Sequence, residues 1–366
     1  MIIGVLKEEA DTRVALTPDV VKKLTEHNQL LIEKDAGSNT FISDQEYEEV
    51  GATISDRTEV ISKSTLLISI RPPAEEVLSN LPQGASVISS FRPYEDNAIA
   101  EQLSKFPINV FSMDMMPRTT LAQDKDVLSS MASMAGYRAV LEAATHLPRY
   151  FPMLTTAAGS IPPAKVLILG AGVAGLQAIA TAKRLGSVVE AFDTRSAVKE
   201  EVQSLGAKFV EVEGARDDKA AGGYAVEQTE EYKNKQRELI FDRSVKSDVI
   251  ITTALLRGKK APILITKEMV EAMKPGSVIV DLAAAGGGNC ELTQNDATIS
   301  HHGITIIGDS TLEAKMPMHA SQLFAKNVFN FLKVLLKDGE LQLDMENPLV
   351  SGTCIVQEGK NVYQVK

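Results

Sequence analysis

A glycine-rich segment carries the clearest chemical signal in this chain. An apolar run, Val166–Leu169, stops at the sequence Gly-Ala-Gly-Val-Ala-Gly of residues 170–175, and a helical pattern follows. Gly170 would permit a tight turn, Gly172 would let the backbone approach a pyrophosphate, and Gly175 would let the helix pack closely on the strand. The amino-terminal end of that helix favours bound negative charge. The segment therefore predicts a dinucleotide-binding turn.

The next apolar run ends in an acidic residue, Asp193, at about the ~20-residue spacing expected for such a site. A carboxylate at this point would accept hydrogen bonds from a ribose diol and would repel a 2′-phosphate. The sequence thus favours NAD(H) over NADP(H) as the cofactor. The alternative is a glycine-rich turn in an α/β core that binds no ligand.

A second polar cluster follows the apolar run Ile108–Ser112 and ends in the first turn of a long helical pattern. It contains Arg118, Gln123, Asp126 and Ser129. Asp126 as a helix cap, with Ser129 three residues on, is the purely structural interpretation. Arg118 could instead pair with an acid or a diphosphate. Gln123 and Ser129 could hold a nicotinamide carboxamide, which orients a cofactor without moving a proton.

Proton-transfer groups are scarce by comparison. A dehydrogenase that acts on an alcohol or an amine needs a positioned acid or base, usually His or Lys. We interpret the histidines as solvated surface residues, with His301 and His302 in a polar loop before a strand. The five histidines of the chain are His27, His146, His301, His302 and His319.

Composition predicts a soluble globular protein. The chain has 366 residues, of which 44% are hydrophobic and 23% are charged, as in proteins with substantial cores. The net charge of −10 argues against a nucleic-acid partner, which requires a basic surface. Cys290 and Cys354 have no metal-ligand spacing, so we expect a reduced, cytoplasmic chain and no metal site. Without a signal-peptide pattern or an apolar run of ~18 residues, no membrane insertion is expected.

Short apolar runs alternate with amphipathic stretches, which predicts βαβ units and parallel sheets. The expected fold class is α/β, with two Rossmann-like, doubly wound parallel-sheet domains and a ligand cleft between them. The predicted strands are Ile2–Leu6, Leu30–Ile32, Leu66–Ile70, Ser86–Phe91, Ile108–Ser112, Val166–Leu169, Val188–Phe192, Lys208–Val212, Val249–Thr253, Val278–Leu282 and Thr305–Ile307.

Two long helical patterns define the predicted domain boundaries. We expect a discontinuous first domain of residues 1–125 and 320–366, a linking helix over 126–147, and an NAD-binding domain over 148–319. The amphipathic helix Ser321–Lys337 would be a core element of the first domain. A dimer contact is the secondary interpretation of that helix.

Long stretches of the chain match one known family. They include GVLKEEADTRVALTP, SMDMMPRTTLAQDKDVLSS, VLILGAGVAGLQAIATAKRLG and MKPGSVIVDLAAAGGGNCE. With these stretches the chain resembles domain I, on the alpha subunit, of proton-translocating NAD(P) transhydrogenases of the Si–Re type. The resemblance implies hydride transfer between NADH held here and NADP⁺ held by a partner domain, coupled to proton movement by a separate membrane subunit. It also implies a homodimer, peripheral to the inner face of the cell membrane through those partners.

The same resemblance implies roles for individual residues. The family's Arg-Gln-Asp loop maps onto Arg118, Gln123 and Asp126, and Ser129 maps onto a contact to the carboxamide. A mobile loop that closes over the nucleotide would carry Gly223 and Tyr224. Further positions that line the NAD site in the family are Val173, Asp193, Thr194, Arg195, Gln236 and Leu255. The chain departs from the family's usual Ser-Arg and Ser-Met pairs at Thr120, Leu121, Asp124 and Lys125.

The chain also resembles alanine dehydrogenases, which share the early RVALTP-type segment and in which a Lys and a His flank the substrate. The corresponding stretches here read Ile70-Arg71-Pro72 and Ser90-Phe91-Arg92. Arg71 cannot act as a base near neutral pH, and Phe91 cannot titrate. Direct hydride transfer needs only two nicotinamide rings held ~3–3.5 Å apart. Two alternatives remain, an alanine dehydrogenase-like amino-acid oxidoreductase and a non-catalytic NAD-binding regulatory module.

Overall fold

Each of two structural units is built on a central β-sheet. The computed structural model describes residues 1–212, 229–255 and 258–364. Unit 1 comprises Met1–Met131 and Ala314–Lys366, and unit 2 comprises Ala132–Glu313. The first boundary falls inside the helix Val127–His146, which the sequence interpretation sets apart as a linker.

The elements alternate along the described residues as the apolar pattern predicts. The strands are β1 (Ile2–Val5), β2 (Gln29–Glu33), β3 (Thr53–Ser55), β4 (Leu66–Ile68), β5 (Ser86–Ser89), β6 (Asn109–Ser112), β7 (Leu154–Thr156), β8 (Gly159–Ile161), β9 (Lys165–Leu169), β10 (Val188–Phe192), β11 (Lys208–Val210), β12 (Val249–Thr252), β13 (Val278–Asp281), β14 (Thr298–His301), β15 (Ile304–Ile307), β16 (Leu336–Lys337), β17 (Glu340–Leu341), β18 (Cys354–Gln357) and β19 (Lys360–Asn361). The helices are α1 (Pro18–Leu24), α2 (Asp44–Glu48), α3 (Arg57–Lys63), α4 (Glu75–Ser79), α5 (Ile99–Leu103), α6 (Val127–His146), α7 (Val173–Arg184), α8 (Lys199–Ser204), α9 (Glu230–Ser244), α10 (Lys267–Ala272), α11 (Pro317–Leu335) and α12 (Pro348–Thr353).

The sheet of unit 1 has the strand order β19-β18-β6-β5-β4-β1-β2-β3. The strands from β6 to β3 are parallel, and the carboxyl-terminal strand β18 pairs antiparallel with β6. The inner strands β4, β5 and β6 are buried along their whole length, as expected for a parallel sheet covered on both faces.

Helix α11 belongs to the core of unit 1. Its residues Phe324, Phe331 and Leu335 are buried, and the ring of Phe331 packs edge-on against that of Phe111 in β6, with centroids 6.0 Å apart. The amphipathic pattern of this segment reflects an apolar face that the sheet covers, which agrees with the core interpretation.

The sheet of unit 2 has the order β11-β10-β9-β12-β13-β15-β14 and is parallel except for the edge strand β14. The chain passes from β9 outward to β11 and then crosses to β12, on the other side of β9. This reversal is the switch point of a doubly wound sheet, where ligands bind outside the carboxyl ends of the strands. The glycine-rich segment begins directly after β9. The two parallel-dominated sheets confirm the predicted α/β class.

Every predicted strand is present, but the interpretation of His301 as a loop residue was wrong, whereas His302 does lie in a turn. His301 ends strand β14 and does not lie in a loop. The strand is the exposed edge of its sheet, so its burial alternates only between exposed and half-buried positions. A strand without a buried face lacks the apolar alternation on which the prediction depends.

Candidate dinucleotide-binding site

The first glycine of the turn adopts a conformation that other residues avoid. Gly170 has φ +103°, in the region open mainly to glycine. Its amide donates to the carbonyl oxygen of Phe192 in the neighbouring strand, at 2.9 Å. Beside it, the hydroxyl of Thr253 donates to the carbonyl oxygen of Gly170 at 3.0 Å. Hydrogen bonds therefore join the turn to β10 and to the residue directly after β12, the two strands that flank β9.

The other two glycines have different spatial requirements. A Cβ atom on Gly175 would overlap the carbonyl oxygen of Gly170, so only glycine lets α7 pack this closely on the turn. Gly172 is the N-cap residue of α7, and the nearest atom to a Cβ built on it is Nη2 of Arg195, 3.9 Å away. The backbone at Gly172 thus has open space beside a helix amino terminus. These features fit a pyrophosphate group.

The carboxylate of Asp193 accepts four hydrogen bonds from donors within the protein. One carboxylate oxygen accepts from the Arg195 amide at 2.8 Å and from Arg195 Nε at 2.9 Å. The other accepts from the Ala171 amide and from Arg195 Nη2, both at 2.7 Å. A carboxylate has about four acceptor sites, and protein donors fill all of them. Asp193 therefore holds Arg195 and the glycine turn together, and Arg195 would have to move before a ribose diol could bind the carboxylate.

Sequence reasoning missed a buried carboxylate at the end of β13. Asp281 is fully buried and accepts five hydrogen bonds at 2.7–3.0 Å. The donors are the Thr252 and Thr293 hydroxyls and the amides of Ala283, Asn289 and Cys290. An acidic residue at the carboxyl end of an apolar strand was the available signal, because that edge of a parallel sheet is where loops converge.

Asn289 extends this network to the segment that follows β12. Its amide group donates to the carbonyl oxygens of Ala254 and Pro262 and accepts from the Ala254 amide, at 2.8–2.9 Å. Leu255, next in the chain, is left half-exposed. Asp281 and Asn289 therefore support the loop that carries Thr253 and Leu255.

The remaining predicted residues of unit 2 lie on several elements. Val173 is half-exposed in the first turn of α7, and Thr194 is half-buried directly after Asp193. Gln236 lies on α9 and is half-buried. Gly223 and Tyr224 lie outside the described residues.

In unit 1, Asp126 and Ser129 bind each other. Asp126 immediately precedes α6, and its two carboxylate oxygens accept from the Ser129 amide at 3.0 Å and from the Ser129 hydroxyl at 2.6 Å. This is the geometry of a helix N-cap. The structural interpretation of this pair therefore holds, and any contact with a cofactor would come in addition to it.

Arg118 and Gln123 are exposed, and Gln123 lies in a 3₁₀-helix, Thr120–Lys125. Helix α11 anchors this short helix, since the side-chain amides of Asn327 and Asn330 donate to the carbonyl oxygen of Asp124 at 2.9 and 3.1 Å. The loop is thus held on a rigid element, which suits an orienting role.

Two departures from the family pattern have different surroundings. Lys125 is buried, and its ammonium group donates to the carbonyl oxygen of Leu121 at 3.0 Å and to the Asp124 carboxylate at 2.6 Å. The side chain of Leu121 is 77% exposed. The surface at position 121 is therefore apolar.

Two domain families match the sequence. The alanine dehydrogenase/PNT N-terminal domain matches residues 4–135, and the alanine dehydrogenase/PNT C-terminal domain matches residues 139–364. The chain belongs to the alanine dehydrogenase/PNT family. Membership implies NAD(H) binding, in agreement with the geometry of the glycine turn.

Within this family, transhydrogenase subunits are the more similar relatives. An NAD(P) transhydrogenase subunit alpha polypeptide of Rhodospirillum rubrum is 44% identical over 376 residues, with 99% of this chain and 98% of that protein covered. The solved transhydrogenase from Sinorhizobium meliloti is 40% identical and has a TM-score of 0.91, with 99% and 100% covered. An L-alanine dehydrogenase structure is 22% identical with a TM-score of 0.81, covers 99% and 97%, and shows the shared fold alone. The resemblance to transhydrogenase alpha subunits is confirmed.

A buried carboxylate joins two arginines in unit 1. Arg13 donates to Asp11 from its amide, Nε and Nη2 at 3.0, 2.8 and 2.6 Å, and Arg71 Nε donates to the same carboxylate at 3.1 Å. Burial would raise the pKa of Asp11, but the Arg13 hydrogen bonds and charge, with the Arg71 charge, leave it lowered. Arg71 is therefore bound to an internal anion.

Glu8 lies beside this cluster. Its carboxylate accepts from the amides of Ile70 at 2.6 Å and Arg71 at 3.3 Å. Burial raises the pKa of Glu8 to about 7, although those two amide hydrogen bonds lower it. Glu8 thus fixes the backbone at Ile70 and Arg71.

Among the helices of the described residues, none has both the length and the apolar character needed to cross a membrane.

Proposed function

We propose that this chain is the NAD(H)-binding component of a proton-translocating NAD(P) transhydrogenase. In this proposal a hydride passes directly between NADH held here and NADP⁺ held by a partner domain. One observation favours this function over an alanine dehydrogenase-like activity. At the two positions that flank substrate in that enzyme, Arg71 is paired with Asp11 and Phe91 is only 5% exposed. Neither residue can exchange a proton near neutral pH.

The chain's own residues would bind and orient the dinucleotide. The open backbone at Gly172 and the amino terminus of α7 would hold the pyrophosphate, and Thr253 keeps the turn in place. Arg118, Gln123, Asp126 and Ser129 would orient the nicotinamide and exclude water. When bound, NADH supplies the hydride itself. Gly223 and Tyr224 would cover the nucleotide, as the resemblance implies.

The partners in this proposal are an NADP(H)-binding domain and a membrane-embedded subunit that couples hydride transfer to proton translocation. The support is the set of relatives named as alpha subunits of NAD(P) transhydrogenases. Two copies of this chain would form a homodimer, peripheral to the inner face of the membrane through those subunits.

Mixing the chain with a cognate NADP(H)-binding domain tests the proposal. We expect rapid reduction of an NADP⁺ analogue by NADH in the mixture and none with either protein alone. Reduction of pyruvate with ammonia by the chain alone, at ordinary enzymatic rates, would instead establish an amino-acid dehydrogenase. NADH binding without transfer to any acceptor would support the regulatory module.

A further inference from the structure

Three potential metal ligands meet on the surface of unit 2, on elements that do not form the glycine turn. They are Glu271 in α10, His301 at the end of β14, and His302 in the turn that follows. Nε2 of His301 lies 3.0 Å from Oε1 of Glu271, and Nε2 of His302 lies 3.9 Å from the same oxygen. One donor atom from each residue lies within 4.8 Å of both others.

We propose that Glu271, His301 and His302 bind one divalent transition-metal ion of the Zn²⁺ type. Zn²⁺ binds imidazole nitrogen at ~2.0–2.1 Å and carboxylate oxygen at ~2.0–2.2 Å, so two ligands of a tetrahedral site lie roughly 3.4 Å apart. The separations of 3.0 and 3.9 Å lie on either side of that value. Two imidazoles with one carboxylate suit Zn²⁺, Ni²⁺ or Cu²⁺, whereas Mg²⁺ and Ca²⁺ prefer oxygen ligands. Water would complete the coordination.

The backbone brings the two neighbouring imidazoles to one side. Successive residues of a strand normally point to opposite faces. Here His302 has φ +50°, which ends the strand, and the two rings stack with centroids 4.6 Å apart and planes 18° apart. Both Nε2 atoms therefore lie within 3.9 Å of one Glu271 oxygen, and a tilt of the two stacked rings toward each other would direct both lone pairs at one ion.

A lysine beside the cluster limits the expected affinity. Nζ of Lys267 lies 3.8 Å from the same oxygen of Glu271, and the lysine side chain is half-exposed. Its ammonium group would repel a divalent cation and compete for the carboxylate. The site therefore has one negative charge opposed by one positive charge, and replacing Lys267 should strengthen metal binding.

The bound ion would join two elements that hydrogen bonds in the strand ladder do not connect. Helix α10 supplies Glu271, while β14 is the edge strand of the sheet and pairs only with β15 among the described strands. Edge strands open more easily than central ones. An ion bound only by the native arrangement would stabilise this edge by an amount that grows with the logarithm of its concentration above the dissociation constant.

Binding is tested on the full chain, without an affinity tag, by Zn²⁺ titration against a chromophoric chelator and by Co²⁺ absorption. We expect one ion per chain, with binding at least tenfold weaker in His302→Ala and in the near-isosteric Glu271→Gln. Lys267→Met should bind several-fold more tightly. His27→Ala, which removes an exposed histidine elsewhere, is the matched control and should bind as the unchanged protein does.

Two results would overturn the proposal. One is unchanged Zn²⁺ affinity in the double variant His301→Ala/His302→Ala. The other is a Co²⁺ complex whose visible spectrum does not depend on these histidines. A rise in melting temperature with Zn²⁺ that Glu271→Gln abolishes would support the link between α10 and β14.

Discussion

The guanidinium group of Arg195 is bound to the carboxylate of Asp193 through Nε and Nη2, and the Arg195 amide donates to the same carboxylate. The same three donors join Arg13 to Asp11, in a second Asp-Thr-Arg sequence. In unit 1 this pair belongs to a buried structural cluster. In unit 2 it lies at the glycine turn. There a cation beside the carboxylate affects whether the site accepts the 2′-phosphate of NADP(H).

Replacing Asp193 and replacing Arg195 should change the preference between NADH and NADPH in opposite directions. Asp193→Ala releases the guanidinium, so NADH should bind at least tenfold more weakly and exclusion of NADPH should relax. Arg195→Ala removes the cation that offsets the carboxylate, so the preference for NADH over NADPH should increase. Titration of both nucleotides measures the two ratios. Unchanged discrimination in Asp193→Ala would show that this residue does not select the cofactor.

Substitutions at the second and third glycines, Gly172 and Gly175, should have different effects on stability and on NADH binding. Gly175→Ala places a Cβ on the Gly170 carbonyl, so we expect a loss of about 2 kcal/mol in the free energy of unfolding. Gly172→Ala is the matched control, because its φ of −78° and ψ of −166° suit alanine and the nearest atom is 3.9 Å away. It should leave unfolding almost unchanged yet weaken NADH binding, since its methyl group occupies the pyrophosphate space. Denaturant unfolding and NADH titration would contradict this if both variants behaved alike.

Among single substitutions of polar residues near the glycine turn, replacing Asp281 should lower the free energy of unfolding most. Asp281→Asn replaces one oxygen by an NH₂ group that faces existing donors, so we expect a loss of about 3 kcal/mol or more. Thr293→Val removes only one of the five hydrogen bonds and should cost about 1 kcal/mol. Chemical denaturation measures both. Equal, small losses would mean that the network does not hold the loops.

Glu8 should make stability fall as pH rises. Burial raises its pKa from 4.5 to about 7, so the folded state retains a proton that the unfolded state releases in this range. The contribution is complete below pH 4.5 and is lost as pH rises through about 7, a change of roughly 3 kcal/mol. Glu8→Gln should abolish that slope. If the free energies of unfolding of the two proteins changed with pH in the same way between pH 4.5 and 8, Glu8 would not be the group responsible.

The sequence predicted the parts of the fold that have a strong local signal. The positive φ of Gly170 and the close packing at Gly175 follow from residue type and spacing. Asp281 and Thr253 were missed because their importance comes from strands distant in the chain that meet at one sheet edge. Strand β14 was missed because a polar edge strand has no apolar alternation, and its assignment as a loop concealed the His301–Glu271 contact.

The sequence left the role of Asp126 open. Its spacing to Ser129 allowed both a helix cap and a cofactor contact, and the structure shows the cap. Gln123 is exposed on a short helix that α11 anchors. Gln123→Asn should therefore slow hydride transfer more than it weakens NADH binding, because it displaces a ring and leaves the main affinity intact. Single-turnover rates and NADH titration separate the two effects, and equal losses would exclude an orienting role.

Isotope transfer tests whether the hydride passes directly between the two dinucleotides. The chain, a cognate NADP(H)-binding domain, NADH deuterated at the transferable C4 position and NADP⁺ are mixed in ordinary water. We predict that the NADPH formed contains the deuterium in full, and that none forms when this chain is left out. NADPH that carries hydrogen from water would exclude direct transfer. Oxidation of alanine in the presence of NAD⁺, with no NADPH formed in the mixture, would show an amino-acid dehydrogenase instead.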